Sequence, residues 1–139
     1  MTTRANEMEG GCHCGAIRYR VEGQAKTHAL CHCTDCRRHA GAPMVGWIMF
    51  PSNACTVTRG VPKLYASSEH GRRDFCADCG TGLFYKNDSI LPGIIDIQSA
   101  TLDTPEAVPP RVHIQTADRV AWMKTAHELP MFDLYPPKA

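Results

Sequence analysis

Cys31-His32-Cys33-Thr34-Asp35-Cys36 sets three thiols within six residues. Two further clusters, Cys12-His13-Cys14 and Cys76-Ala77-Asp78-Cys79-Gly80, stand apart from it in the chain. Seven of the eight cysteines fall in these clusters, and Cys55 stands alone. A Cys-x-x-Cys on a tight turn points both sulfurs at one ion, and Gly80 directly after Cys79 permits that turn to close. A Cys-x-Cys does the same when its middle residue folds outward. Two such pairs from distant parts of the chain complete a tetrahedral four-sulfur site, and soft, anionic thiolates suit zinc. The fold is therefore predicted to be organised around zinc, with metal binding coupled to folding.

Spacing alone does not decide which clusters pair. Counting helps: Cys12, Cys14, Cys76 and Cys79 make one set of four, which leaves Cys31, Cys33 and Cys36 as a local set of three. Four closed ligands is the usual form of a structural zinc, and three protein ligands with an open position is the usual form of a catalytic one. Other readings stay open at this level. His39 follows Cys36 at the x-x-His spacing and would close the second site as a structural Cys3His centre. The seven thiols could also hold a single ion, or none. His13 and His32, each flanked by two candidate ligands, are expected to face away from metal. Cys55, beside Val57, reads as a small buried hydrophobe.

The rest of the pattern explains why a metal is needed. Residues 16–21 alternate, with Ile17, Tyr19 and Val21 on one side and Arg18 and Arg20 on the other. Strands are predicted at 45–50, 54–58, 63–67, 73–76, 82–86, 94–98 and 111–115, and residues 102–105 read as a turn. Helix signals are scarce: one turn at 34–39 with Thr34 as its N-cap, and a short helix at 118–124 with Ala121 and Trp122 inside. The Val45, Trp47 and Met49 stripe reads as core, and Trp122 as a lid over it. The expected architecture is mainly β, antiparallel, with little helix. Strands this short and interrupted enclose a small interior, and aromatic residues make up only 7% of the chain, so a cross-link is required.

These stretches resemble a known family. Gly10-Gly11-Cys12-His13-Cys14-Gly15-Ala16-Ile17-Arg18-Tyr19 is similar to the opening signature of the glutathione-dependent formaldehyde-activating enzyme family, the CENP-V/GFA domain. Cys31 to Cys36 with Arg37 and Arg38 resembles its second motif. Tyr65-Ala66-Ser67-Ser68 with Arg73-Asp74-Phe75-Cys76-Ala77-Asp78-Cys79-Gly80-Thr81 resembles its third. Thr101-Leu102-Asp103 and the tail from His113 through Trp122 to Leu129-Pro130 also match. The resemblance implies an Mss4-like fold of short antiparallel sheets pinned by zinc. It implies a structural zinc on Cys12, Cys14, Cys76 and Cys79, and a second, catalytic zinc on Cys31, Cys33 and Cys36. The implied activity is that of a carbon–sulfur lyase, joining glutathione or a similar small thiol to an aldehyde, as in S-(hydroxymethyl)glutathione synthesis.

On that reading Arg37, Arg38 and Arg73 are candidates for the thiol's carboxylates. Ser67 and Ser68 are candidate hydrogen-bond partners, Gly41 a pocket rim and His39 a proton relay. The other function class is a zinc-stabilised protein-binding module with both sites structural. No phosphate loop, dinucleotide fingerprint or Ser-His-Asp order is present.

Composition narrows the classes further. A chain of 139 residues with 43% hydrophobic content fits one domain. The expected limits are a flexible leader at 1–9, one zinc domain at 10–135 and a tail at 136–139. Fifteen basic and 14 acidic side chains leave a formal charge of +1, which favours neither nucleic acid nor an anionic membrane. No run approaches the roughly 20 apolar residues of a membrane span. The amino terminus lacks the apolar segment of a signal peptide, so the expected compartment is the cytoplasm, where thiols stay reduced. The oligomeric state is not legible.

Overall fold

The computed structural model describes residues 6–138. Ten strands form two sheets. Strands β1 (Glu7–Gly11), β2 (Arg18–Glu22) and β5 (Cys55–Arg59) make an antiparallel three-stranded sheet in the order β1-β2-β5. The larger sheet holds β3 (Thr27–Cys31), β4 (Val45–Pro51), β6 (Lys63–Ala66), β7 (Gly71–Phe75), β8 (Gly82–Asn87), β9 (Leu91–Gln98) and β10 (Val112–Ile114). Its order is β10-β3-β4-β9-β8-β7-β6, antiparallel except where β10 runs parallel to β3. One α-helix, α1 (Thr34–Ala40), and several 3-10 turns complete the described chain. No helix among the described residues is long and apolar enough to cross a membrane.

The main core lies where the two sheets face each other. The predicted alternation buries Ile17, just before β2, and Tyr19 and Val21 of β2 against Ile48 and Phe50 of β4, Leu83 and Phe84 of β8, and Ile95 and Ile97 of β9. Tyr19 meets Phe84 edge-on with centroids 5.2 Å apart, and its hydroxyl is 2.7 Å from Thr101 Oγ1. That contact satisfies the one polar atom of a fully buried ring. Cys55 packs against this core, as expected.

β4 is central, so it is buried on both faces and reads as a continuous apolar run. Its even positions Ile48 and Phe50 enter the main core. Its odd positions Val45 and Trp47 join Cys31 and Cys36 in a second, smaller cluster. The register then sets a row across the outer face: Thr27 beside Met49, Met49 beside Asp96, Asp96 beside Tyr85, Tyr85 beside Arg73, and Arg73 beside Tyr65. Because side chains alternate faces along a strand, every member of that row projects to the same side.

Several expectations are corrected. The predicted leader at 1–9 overlaps β1, which begins at Glu7; residues 1–5 lie outside the described residues, as does Ala139 of the expected tail. β1 and β3 were not predicted as strands. The helix N-cap is Cys33 rather than Thr34, with the Cys33 sulfur accepting the Cys36 N–H at 3.2 Å. The predicted helix at 118–124 is instead a 3-10 segment, Ala121–Glu128, kinked at Thr125. Trp122 is 61% exposed and no lid. Val45 and Trp47 are buried in the smaller core cluster, as the stripe suggested, but Trp47 and Met49 also line a cleft.

Candidate functional site

The two thiol clusters arise from different local devices. In the first, two turns face each other. Gly15 at φ 82° and Gly80 at φ 83° adopt the left-handed conformation that reverses the chain just after the sulfurs. Gly15 N–H bonds the Cys12 carbonyl at 3.2 Å and Gly80 N–H bonds the Cys76 carbonyl at 2.8 Å. Both turns thereby aim their thiols inward. The sulfurs of Cys12, Cys14, Cys76 and Cys79 all lie within 4.8 Å of one another. Cys14 Sγ is 3.7 Å from Cys12 Sγ and 3.8 Å from Cys76 Sγ. A regular tetrahedron with metal–sulfur bonds near 2.3 Å has edges of about 3.8 Å, so the donor set fits a tetrahedral ion such as zinc.

Hydrogen bonds tune these sulfurs. Ile17 N–H donates to Cys12 Sγ at 3.2 Å, and the Thr81 hydroxyl, 3.2 Å from Cys79 Sγ, heads the contacts that pull the Cys79 thiol down to about 5. The Ala16 N–H draws Cys14 the same way, but desolvation and then crowding by Cys79, Cys12 and Cys76 outweigh it and push Cys14 up to about 12. Four sulfurs this close ionise together only around a cation.

The second cluster closes on itself along the chain. Cys31 ends β3, Cys33 caps α1, and Cys36 lies one turn into that helix. Their sulfurs also lie within 4.8 Å of one another. No fourth His, Cys, Asp or Glu atom joins this group among the described residues. His39, the expected fourth ligand of a closed site, stacks on Tyr65 instead, with ring centroids 6.2 Å apart. His13 is exposed on its turn, and His32 Nε2 pairs with His113 Nδ1 at 2.9 Å; neither is in a cluster.

Arg73 is the cation of this centre. It is only 5% exposed, with Nη1 and Nη2 at 3.9 and 3.8 Å from Cys36 Sγ. Its guanidinium carbon stands 4.8 Å above the Tyr85 ring. The Cys36 thiol is pulled down to about 5, first by Cys31 and then, against burial, by Cys33, Arg73 and the Trp47 indole. The same proton sharing, with burial, drives Cys31 upward. Asp96, 8% exposed on the row beside Tyr85, is pushed up to about 6 by burial and then by the Cys36 charge. Burial and Arg73 push His39 down and favour its neutral form.

The cluster opens into a cleft of about 400 Å³, a size typical of small-molecule sites. Cys31, Cys33, Cys36, Arg73, Tyr85 and Asp96 line one part of it and Trp47, Met49, Ile90, Leu91, Val112 and Ile114 form an apolar wall; Thr27, Ala29, Asp35 and Gln115 complete the lining. Of the predicted substrate residues, Arg73 alone lines this cleft. Arg38, His39 and Ser67 line an adjoining depression that shares Asp35 and Arg73 with it. Arg37 donates to the Asp118 carbonyl at 3.3 Å; with Arg38, Gly41 and Trp122 it lines a separate, open depression. Ser68 caps its own turn, accepting the Gly71 N–H at 2.9 Å. Trp47, Tyr85, Asp96 and Ile114 were missed as site residues. Their one signal was alternation parity, which becomes informative only once the strand order is known.

Two sheets carrying one four-thiol cluster and one three-thiol cluster, the latter at a cleft, define a class of β proteins whose clustered thiols could hold metal ions. The chain belongs to the glutathione-dependent formaldehyde-activating enzyme family, whose pattern matches residues 7–118. A Halomonas elongata protein described as a putative glutathione-dependent formaldehyde-activating enzyme is 27% identical over 126 residues, 84% of this chain and 80% of that one. A Schizosaccharomyces pombe protein described as an uncharacterized lyase is 33% identical over 79 residues, and the match spans only 57% of either chain. A crystal structure of a Rhodobacter sphaeroides protein superposes with a TM-score of 0.61 at 26% identity, covering 76% of this chain and 98% of that one.

Proposed function

We propose that this protein is a zinc-dependent enzyme of the carbon–sulfur lyase type, which joins and separates a small thiol, glutathione or similar, and an aldehyde. The observation that carries the reading is the three-sulfur cluster of Cys31, Cys33 and Cys36 at the wall of the cleft, with no fourth side-chain donor among the described residues. On this reading the four sulfurs of the first cluster hold a structural zinc. Zinc held by the second cluster supplies a thiophilic Lewis acid that favours the thiolate form of a bound thiol.

The chain's own groups do the remaining work. In the forward direction the thiol sulfur bonds the carbonyl carbon, the C=O π pair moves to oxygen, and the thiol proton ends on that oxygen. The reverse cleaves the same bond. Arg73 offsets the charge of the thiolates, which would otherwise be buried uncompensated. Asp96 takes the thiol proton and returns it to the oxygen, a task suited to a carboxyl titrating near 6. The cleft walls hold both reactants near each other and limit water. The alternative, a protein-binding module with both centres closed, needs a side-chain donor such as His39 at the second cluster, and His39 stacks on Tyr65.

The test is exchange spectroscopy of ¹³C-formaldehyde with glutathione, with and without zinc-loaded protein. Faster exchange that disappears in Cys36→Ser, with the fold retained, supports the reading. An unchanged exchange rate with the second centre loaded would refute it.

A further inference from the structure

We propose that the substrate of this site carries a hydrocarbon substituent next to the reacting sulfur, bound along the wall formed by Trp47, Met49, Ile90, Val112 and Ile114. The inference rests on the reading above and names the substrate class it leaves open.

Three observations carry it. First, Ile90, Val112 and Ile114 are large, apolar and exposed, and all three line the cleft. They continue the apolar surface of Trp47 and Met49 outward, and a single contiguous patch at a cleft is a binding surface more often than scattered exposed residues are. Second, a one-carbon aldehyde is too small to cover this apolar wall, and an uncovered apolar surface contributes nothing to affinity. Third, the charges suit an uncharged substituent. Glutathione brings two carboxylates, yet the charged residues lining the cleft are Asp35, Asp96 and Arg73. The single cation is already engaged with Cys36 and the Tyr85 ring. The aspartates repel a substrate carboxylate.

The backbone at the mouth agrees with this assignment. Gln115 follows Ile114, lines the cleft and sits at φ 57°, the only positive φ outside glycine among the described residues. That conformation costs a side-chain-bearing residue roughly 1 kcal/mol, and such strain clusters at ligand-binding positions. The chemical step is the one given above, with RCHO in place of formaldehyde or RSH in place of glutathione. The C–S bond forms at the carbonyl carbon, the proton passes from sulfur to oxygen, and no other reactant is needed.

The hydrocarbon can enter with the aldehyde or with the thiol, and two probe series separate these sources. S-methyl-, S-butyl- and S-hexylglutathione place the chain on the aldehyde side. Ethanethiol and butanethiol place it on the thiol side and carry no carboxylates. Dissociation constants are measured by calorimetry on the zinc-loaded full chain. Affinity is expected to rise with chain length in at least one series, by roughly tenfold or more from the shortest to the longest member. Ile114→Thr and Ile90→Ser should flatten the ladder, while Val61→Thr, at an exposed position outside the cleft, should leave it intact. A flat ladder in both series, or one unchanged in both cleft variants, overturns the inference. Neither result touches the exchange of formaldehyde with glutathione, so the broader reading stands or falls separately.

Discussion

Replacing Arg73 with leucine should uncouple the second centre from the fold. The guanidinium lies 3.8 and 3.9 Å from Cys36 Sγ in a site where Arg73 is 5% exposed. At that separation one pair of unit charges is worth about 4 kcal/mol at an effective dielectric constant of 20. Removing one member of a buried pair typically costs 3–5 kcal/mol, because the other charge stays desolvated. Three thiolates around a divalent ion carry a net charge near −1, so Arg73→Leu should weaken metal binding at Cys31, Cys33 and Cys36 by roughly 200- to 5,000-fold. The first cluster, to whose sulfurs Arg73 makes no hydrogen bond, should be much less affected. Arg73→Lys should fall between, since an ammonium keeps the charge and loses the fork. The assay is competition with a chromophoric chelator, which resolves the two affinities. Equal affinity at the second centre in wild type and Arg73→Leu would refute the electrostatic argument.

Other outcomes follow from the same geometry. Asp96 has a raised folded-state pKa near 6, so its contribution to stability is present below the unfolded value near 3.9 and lost as pH rises through about 6. Asp96→Asn should therefore raise stability by roughly 2–3 kcal/mol at pH 8, have little effect at pH 4 and lower the adduct-forming rate, as read by thermal melts and exchange spectroscopy. Asp103 behaves oppositely: hydrogen bonds and charge from Arg18 hold its carboxyl below the ordinary value, and the resulting stability is present above the unfolded pKa and lost as pH falls through the folded one. Because the pair is partly exposed, Asp103→Asn should cost only about 0.5–1 kcal/mol at pH 7, and the cost should fade as pH drops through the lowered folded-state value, measured by denaturant titration. At Gly80, φ is +83° and an added Cβ meets nothing within 4 Å, so Gly80→Ala should cost about 1 kcal/mol through backbone strain alone, lowering Tm with metal content unchanged.

The thiol clusters were legible because their geometry is local. A Cys-x-Cys or Cys-x-x-Cys followed by a turn carries its own instructions, and Gly15 and Gly80 adopt the left-handed backbone that those turns need. The strand at 16–21 was legible from strict alternation, and β2 does bury Tyr19 and Val21. β3 was missed because Thr27-His28-Ala29-Leu30-Cys31 mixes polar and small residues; His28 is nevertheless buried, its Nε2 2.7 Å from Ser99 Oγ. Thr34 was the better cap by intrinsic preference, yet Cys33 took the position because its sulfur is already aimed at the helix terminus by the cluster. The cleft was the least legible part. Asp96, Tyr85 and Arg73 come from three strands and meet only through the β9-β8-β7 register, which no short-range pattern encodes. Trp122 looked like a lid because tryptophan is usually covered, and here a 3-10 segment leaves it outward.

Stepwise removal of metal tests the division of labour between the two centres most directly. With graded chelator, native mass spectrometry, circular dichroism and exchange activity followed together should show two zinc ions per chain leaving in two steps. The first loss should abolish adduct formation while the sheets persist, and the second should unfold the chain. Release in a single step, or a metal-free chain that stays folded and equally heat-resistant, would contradict the account.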